Sequence, residues 1–398
     1  MDDDLLRKLA HLAVVTGANV QPGQVVAIAA AVECAPLVRE IADCAYRRGA
    51  RFVDPGYFDG TVKRHRIEHG DPETLSYVPP WHGQRWLGLG ELRGARISIQ
   101  PNPEPGILEG LDPELCGRDG LPYVPEILSI VNDRSTNWTV VPFPTQRWAA
   151  NVHPGLELEE ALARLEEQVR YVCRLDEPDA SAAWAERADA LAAIARTLDD
   201  RRFDALHFEG PGTDLTIGLL PTSRWEAARL ETVDGIVHMA NIPSEEVNTT
   251  PDPLRADGVV RSTKPLDVEG ALVRGLIVTF EAGRVVRIDA DENVDALRGR
   301  VAVDDGAVRL GEVALVDRDS RIGRLDTVFL NTLLDENAAS HLALGSAYDV
   351  SVADEDRHRI NRSAIHIDFM IGADDVAVTG ITRSGERVPV LRDGAWQI

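Results

Sequence analysis

Apolar positions along the first half of the chain alternate between two periods. Leu5, Leu6, Leu9, Leu12 and Ala13 keep helical spacing. VQPGQVVAIAA then reads as a turn and a strand. PLVREIADCAYRRGA reads as a helix, with Pro36 in its first turn and Gly49 just past its end, and RFVD as a second strand. GARISIQ and NWTVVPF add two more strands, with helical stretches between them. Helix–strand alternation of this kind predicts a layered α/β fold around a mostly parallel sheet. No G-x-G-x-x-G follows any of these strands, so a dinucleotide site is not expected.

From residue 156 to 199 the pattern is helical throughout, and after it the character changes. FDALHFEG, TDLTIGLL, LIVTFEAGRVVRIDA, GAVRLGEVALVD, HIDFMIG, DVAVTGITRSGERVPVL and RDGAWQI are strand-like, and EAG, RSG and RDG fall where hairpin turns belong. DENAASHLALG reads as a single interrupting helix, from Asp335 as N-cap to Gly345 as C-cap. The expectation is an α/β N-terminal domain over residues 1–200 and an α+β C-terminal domain with a mostly antiparallel sheet over 201–398. The boundary is placed to within about ten residues.

Four segments of the second half carry unusual polar residues. In SAIHIDFMIG, strand alternation points Ile365, Ile367, Phe369 and Ile371 to one side and His366, Asp368 and Met370 to the other. A His–Asp hydrogen bond on a half-exposed sheet would account for that pair taken alone. In VRLGEVALVD, Leu310, Glu312, Ala314 and Val316 share a face, opposite Arg309, Gly311, Val313 and Leu315. An acid among apolar neighbours calls for a salt bridge or a metal ion, and Gly311 would let another group approach the backbone closely. In NIPSEEVNTTPD, Pro243 and Pro251, with Pro253 just after, predict an ordered loop, with Glu245 and Glu246 in its middle, where acids are usually solvated. In NTLLDENAASHLALGSAY, His341 sits among Ala338, Leu342 and Leu344, where a satisfied core histidine competes with a ligand, and Tyr348 follows.

Composition narrows the chemistry. The formal net charge of −23 argues against nucleic acid, which needs clustered Lys and Arg. No run approaches the ~20 apolar residues of a membrane-spanning helix, and the acidic MDDDLLRKLA is unlike a signal peptide, so a cytoplasmic location is the default. Cys34, Cys44, Cys116 and Cys173 are scattered, which suits small buried side chains rather than a disulfide frame or zinc knot. Lysine is so rare that Lys264, in RSTKPL, stands out beside Lys8 and Lys63. Two glutamates, two histidines and an aspartate remain within about 120 residues. Carboxylate with imidazole and no thiolate suits Zn²⁺, Mn²⁺, Co²⁺ or Fe²⁺, and bridging carboxylates would let five ligands hold two ions.

The same segments, with NVQPGQVV, GTDLTIGL and RSTKPL, resemble in order the M29 metallopeptidases of the aminopeptidase T and aminopeptidase S type, over nearly the whole chain. The resemblance implies a two-domain, homodimeric, dinuclear aminopeptidase that removes the N-terminal residue of peptides with a metal-activated water. It implies an N-terminal domain that shapes the dimer or the substrate chamber. It implies metal ligands at Glu246, Glu312, His341, His366 and Asp368 for two divalent ions, Zn or Co ahead of Mn, and an active-site Tyr348. Glu246 rather than Glu245 is the ligand because the motif places it at the second acid. Glu245 is then a candidate general base, Tyr348 a candidate oxyanion donor, and Lys264 a lesser candidate for that job. The chain departs from the pattern in three places. Asn248 stands where an aromatic is usual, NTLLDEN replaces N-T-L-F-D-E-N, and the link from Tyr348 to His366 is short. Two rivals stay open. One is a ring-opening dioxygenase holding one Fe²⁺ with His341, His366 and Asp368, and the other is a non-catalytic metal-binding protein of the same fold.

Overall fold

The structure is a computed structural model that describes residues 1–99, 107–108, 110–122, 124–268 and 271–398. The chain forms two compact units. One comprises Met1–Arg187 with Arg229–Ser244, and the other Ala188–Ala228 with Glu245–Ile398.

The first unit is built on a parallel sheet in the order Phe52–Phe58, Val25–Ala31, Ala95–Ile99, Asn137–Val141. Ala95–Ile99 is buried along its whole length, as a parallel strand covered on both faces should be. Its predicted last residue, Gln100, lies outside the described residues. The opening helix Asp3–His11 is capped by Asp2, whose carboxylate accepts from Leu5 N. Ala35–Arg47 starts on Pro36 and ends before Gly49, at φ +93°. Leu158–Val172 and Ala180–Arg201 are the long helices expected from residue 156 onward. No helix among the described residues is long and apolar enough to cross a membrane.

Besides a two-stranded sheet of Leu266–Val268 with Ala271–Val273, the second unit holds, among the described residues, two large antiparallel sheets. The larger has eight strands, in the order 284–289, 277–281, 251–261, 213–219, 205–210, 377–381, 387–392, 395–396. Its EAG and RDG corners are two-residue hairpin turns with both residues at positive φ, Ala282 with Gly283 and Asp393 with Gly394. The smaller sheet runs His366–Met370, His341–Gly345, Leu310–Val316, Glu246–Thr249. It carries the chemistry.

Three local expectations need correction. The helix DENAASHLALG does not form. A helix covers only Thr332–Glu336, and His341–Gly345 is a strand between two others, buried at every residue. An apolar run buried on both faces carries no period that separates strand from helix, and sheet pairing decides it. Asp335 is therefore no N-cap. Its carboxylate accepts from Phe329 N at 2.7 Å and Asn331 N at 3.0 Å, tying down the preceding loop. Second, NIPSEEVNTTPD is not loop throughout, because Glu246–Thr249 pairs with Leu310–Val316. Third, Leu310 does not share the Glu312 face. A bulge at Gly311 shifts the register, so Leu310 pairs with Leu344 while Glu312 pairs with Ala343. A Cβ at Gly311 would collide with the carbonyls of Gly345 and Ser346, so the predicted close approach is real.

Candidate metal centre

Residues directly opposed in an antiparallel pair share a face, and the register of the small sheet therefore fixes what meets what. One face collects Val247, Val313, Leu315, Leu342, Leu344 and Phe369, which pack into the core, and the half-buried Ile367. The other face collects Glu246 and Asn248, then Glu312 and Ala314, then His341 and Ala343, then His366 and Asp368. All five residues expected as ligands stand on that one face, drawn from four strands. Ala314 and Ala343 lie between them, and their single methyl groups leave room above the sheet.

The side chains converge in two groups that share a member. Glu246, Glu312 and His341 form one, and Glu312, His366 and Asp368 the other, with the ligand atoms of each within 4.8 Å of one another. His341 Nε2 lies 3.3 Å from Glu246 Oε2 and 4.0 Å from Glu312 Oε1. His366 Nε2 lies 3.3 Å from Glu312 Oε2 and 3.3 Å from Asp368 Oδ1. Glu312 thus turns one oxygen toward each imidazole.

Both rings are oriented from behind. His341 Nδ1 faces the Ala339 carbonyl at 3.2 Å, and His366 Nδ1 faces the Ser346 carbonyl at 2.7 Å. A carbonyl only accepts, so each Nδ1 carries its proton and each ring turns Nε2 toward the carboxylates. Each Nε2 against these carboxylates calls for a cation there, a proton on the ring or a metal ion in its place. The cluster shows the same demand elsewhere. Glu246 Oε2 is buried and has no hydrogen-bond partner, and Glu246, Glu312, His341 and Asp368 are all less than a tenth exposed. Burial, reinforced by Glu312 and Asp368, pushes the Glu246 carboxyl up to about 7 against the pull of His341. Burial alone would lower both histidines. The fields of Glu246, Asp368 and Glu312 raise His341 instead, and Tyr348, Asp368 and Glu312 raise His366 well above its ordinary value. Nitrogen and oxygen donors in two triads, with an unpartnered buried oxygen, fit divalent cations.

The remaining predicted residues stand in different relations to this face. Tyr348 packs its ring 5.2 Å from the His366 ring. His366 would lower its phenol, but burial and the charges of Glu312, Asp368 and Glu336 push it up to about 12. Glu245 is fully buried, and its amide donates to Asn337 Oδ1 at 2.6 Å. Lys264 acts electrostatically on Asp335, whose carboxyl burial pushes up to about 7, so it serves the segment leading into the site.

Sequence reasoning missed Glu336. It ends the short Thr332–Glu336 helix, and burial together with Asp368, Glu246 and Glu312 drives its carboxyl well above the usual range. The next residue, Asn337, donates to Leu333 O and accepts from Glu245 N, locking this helix to the start of the Glu246 strand. The available signal was a pair of adjacent acids inside the apolar run NTLLDENAA.

Comparisons with known proteins bear on the family and the fold. The family model described as thermophilic metalloprotease (M29) matches residues 2–396. Aminopeptidase T of Thermus aquaticus is 40% identical over 99% of this chain and 98% of its own. Aminopeptidase 2 of Geobacillus stearothermophilus is 37% identical over 98% of this chain and 97% of its own. The solved structure of wild-type AmpT from Thermus thermophilus superposes with a TM-score of 0.91 at 39% identity, covering 99% of each chain.

Proposed function

The chain belongs to the M29 metalloprotease family and is an aminopeptidase of it, and from that premise we propose that it removes the N-terminal residue of peptides at a site for two divalent ions. Glu246, Glu312 and His341 would hold one ion, and Glu312, His366 and Asp368 the other. The observation that carries this reading is the division of Glu312, with one oxygen toward each histidine, as a carboxylate bridging two ions would be. The single-iron alternative is not favoured. It needs His341, His366 and Asp368 around one point, whereas each histidine groups with a different partner set around Glu312.

Bound ions would supply Lewis acidity, acidifying a water and polarising the scissile carbonyl, with Zn²⁺ or Co²⁺ ahead of Mn²⁺ for this donor set. The chain's own groups do the rest. Tyr348 keeps its proton at neutral pH and donates it as a hydrogen bond to the developing oxyanion. Two acids are offered as the base that takes the water's proton and returns it to the leaving amine. Glu336 is supported by its electrostatic coupling to Asp368, Glu246 and Glu312, and Glu245 by its place beside Glu246. Carbonyl contacts at Nδ1 hold both imidazoles with Nε2 toward the ions.

The test is elemental analysis of the purified protein, with leucyl-p-nitroanilide hydrolysis measured before and after chelation. Close to two ions per chain, and activity lost on chelation and restored by Zn²⁺ or Co²⁺, is the expected result. One iron per chain without amide hydrolysis would overturn the reading.

A further inference from the structure

Glu246 has two oxygens in unlike surroundings. Oε1 accepts from Asn248 Nδ2 at 3.0 Å. Oε2 is buried without a hydrogen-bond partner and lies 3.3 Å from His341 Nε2. The two residues stand at i and i+2 of one strand, so they share the face that carries the cluster. Asn248 is itself fixed independently of its side chain, because its backbone N donates to Glu226 O at 3.0 Å and its carbonyl accepts from Glu226 N at 2.8 Å. In the register it lies opposite Ala314, whose other neighbour is His341. An amide anchored in this way is a rigid donor, and a rigid donor on one carboxylate oxygen selects the carboxylate's rotamer.

We propose that Asn248 is a positioning residue for one of the two ions: its amide occupies Glu246 Oε1 and leaves Oε2 as the single oxygen offered to the ion shared with His341 and Glu312. The inference rests on the dinuclear reading and adds an asymmetry to it. The ion held by Glu312, His366 and Asp368 has no contact with Asn248 through its ligand set, so losing the amide would loosen one ion and not the other. Partners that orient a ligand typically alter metal affinity 10–100-fold when removed. Asn248 is only partly buried, and both backbone hydrogen bonds survive truncation, so Asn248→Ala leaves the sheet intact.

The experiment is Zn²⁺ release from the full chain into a chromophoric chelator, for wild type and Asn248→Ala, with far-UV circular dichroism and melting of the ion-free proteins run alongside. Asn248→Gln, which keeps an amide donor, is the rescue variant. Wild type is expected to release two ions. Asn248→Ala is expected to release one of them at 10–100-fold lower chelator strength and the other unchanged, with partial recovery in Asn248→Gln. Two ions released as in wild type would overturn the proposal. So would equal weakening of both ions, or an ion-free variant that melts well below ion-free wild type, since either marks a general structural role. A wild type that binds fewer than two ions fails the dinuclear reading first and takes the clamp with it.

Discussion

Replacing Ala343 by leucine tests the geometry of the site without touching a ligand. Ala343 is fully buried and is paired in register with Glu312 on one side and Asp368 on the other. Cβ atoms opposed in this way stand ~4.5–5.5 Å apart, and the carboxylates of Glu312 and Asp368 close over the alanine to within 4.8 Å between ligand atoms. An ion with ligand bonds of ~2.0–2.2 Å needs that space empty, because donors around it must draw in further still. Ala343→Leu adds three carbons where the donors converge. Overpacking of this kind costs roughly 1–3 kcal/mol, and the wedge prevents the Glu312, His366 and Asp368 set from contracting. The expected result is one ion per chain in place of two, a fall in kcat/KM of at least ~100-fold, equivalent to about 2.7 kcal/mol, and a far-UV spectrum like wild type. Leu342→Met, on the core face of the same strand, is the control and should retain both ions. Two tightly held ions and wild-type turnover in Ala343→Leu would refute the reasoning, because the ions would then lie somewhere other than above this strand.

Tyr348→Phe should lower kcat by about 10²–10³ with little change in KM, the usual effect of deleting one oxyanion donor, and steady-state kinetics on leucyl-p-nitroanilide would show it. Glu336→Gln and Glu245→Gln separate the two candidate bases: the base variant should lose about 10²–10⁴ in kcat, and the coupling of Glu336 to Asp368, Glu246 and Glu312 makes it the expected one. The chelated protein should lose stability as pH rises from about 4.5 to about 7. Glu246 rises from 4.5 when unfolded to about 7 when folded, so the stability it contributes is present below the lower value and lost through the upper. His366 and His341, also raised, act in the same direction above 6.5, while Asp368, lowered, is already ionised throughout this window. Bound ions reverse the preference, so the difference in melting temperature between loaded and chelated protein should widen from pH 5 to pH 8. A constant difference would argue against charge as the source.

What could be read from the sequence depended on how local the information was. The alternation of His366 and Asp368 against Ile365, Phe369 and Ile371 is a property of five or six residues, and the structure keeps it. The two-residue hairpins at Ala282–Gly283 and Asp393–Gly394 were legible for the same reason, since glycine at a positive φ is a local demand. His341 was placed on the wrong element because HLALG is buried on both faces and its pairing partners lie about 30 residues away on either side. Leu310 was given the wrong face because a bulge is decided by what presses on Gly311, here the Gly345 and Ser346 carbonyls. Glu336 was overlooked because its meaning is electrostatic: nothing in DEN distinguishes the acid that ties a loop, Asp335, from the acid that faces three other carboxylates.

The charge of the cluster argues for the number of ions independently of the bridging geometry. Glu246, Glu312, Asp368 and Glu336 are four carboxyl groups in mutual contact or electrostatic coupling, and the Nδ1 contacts turn both histidines to offer Nε2, a neutral ligand once an ion replaces its proton. Burying that much uncompensated charge is prohibitive. Two divalent ions cancel four carboxylates, whereas one leaves two negative charges that only protons can remove. A one-ion site would therefore have to hold two protons on the groups it leaves free, the unliganded histidine or the acids, and an acid that stays protonated cannot take a proton from water. A two-ion site would have no such restriction: it would let Glu336 ionise, which is the state a general base requires. On this account an ion lost from a triad, as in Ala343→Leu, should raise the pKa on the acidic limb of the kcat profile as well as lower its height.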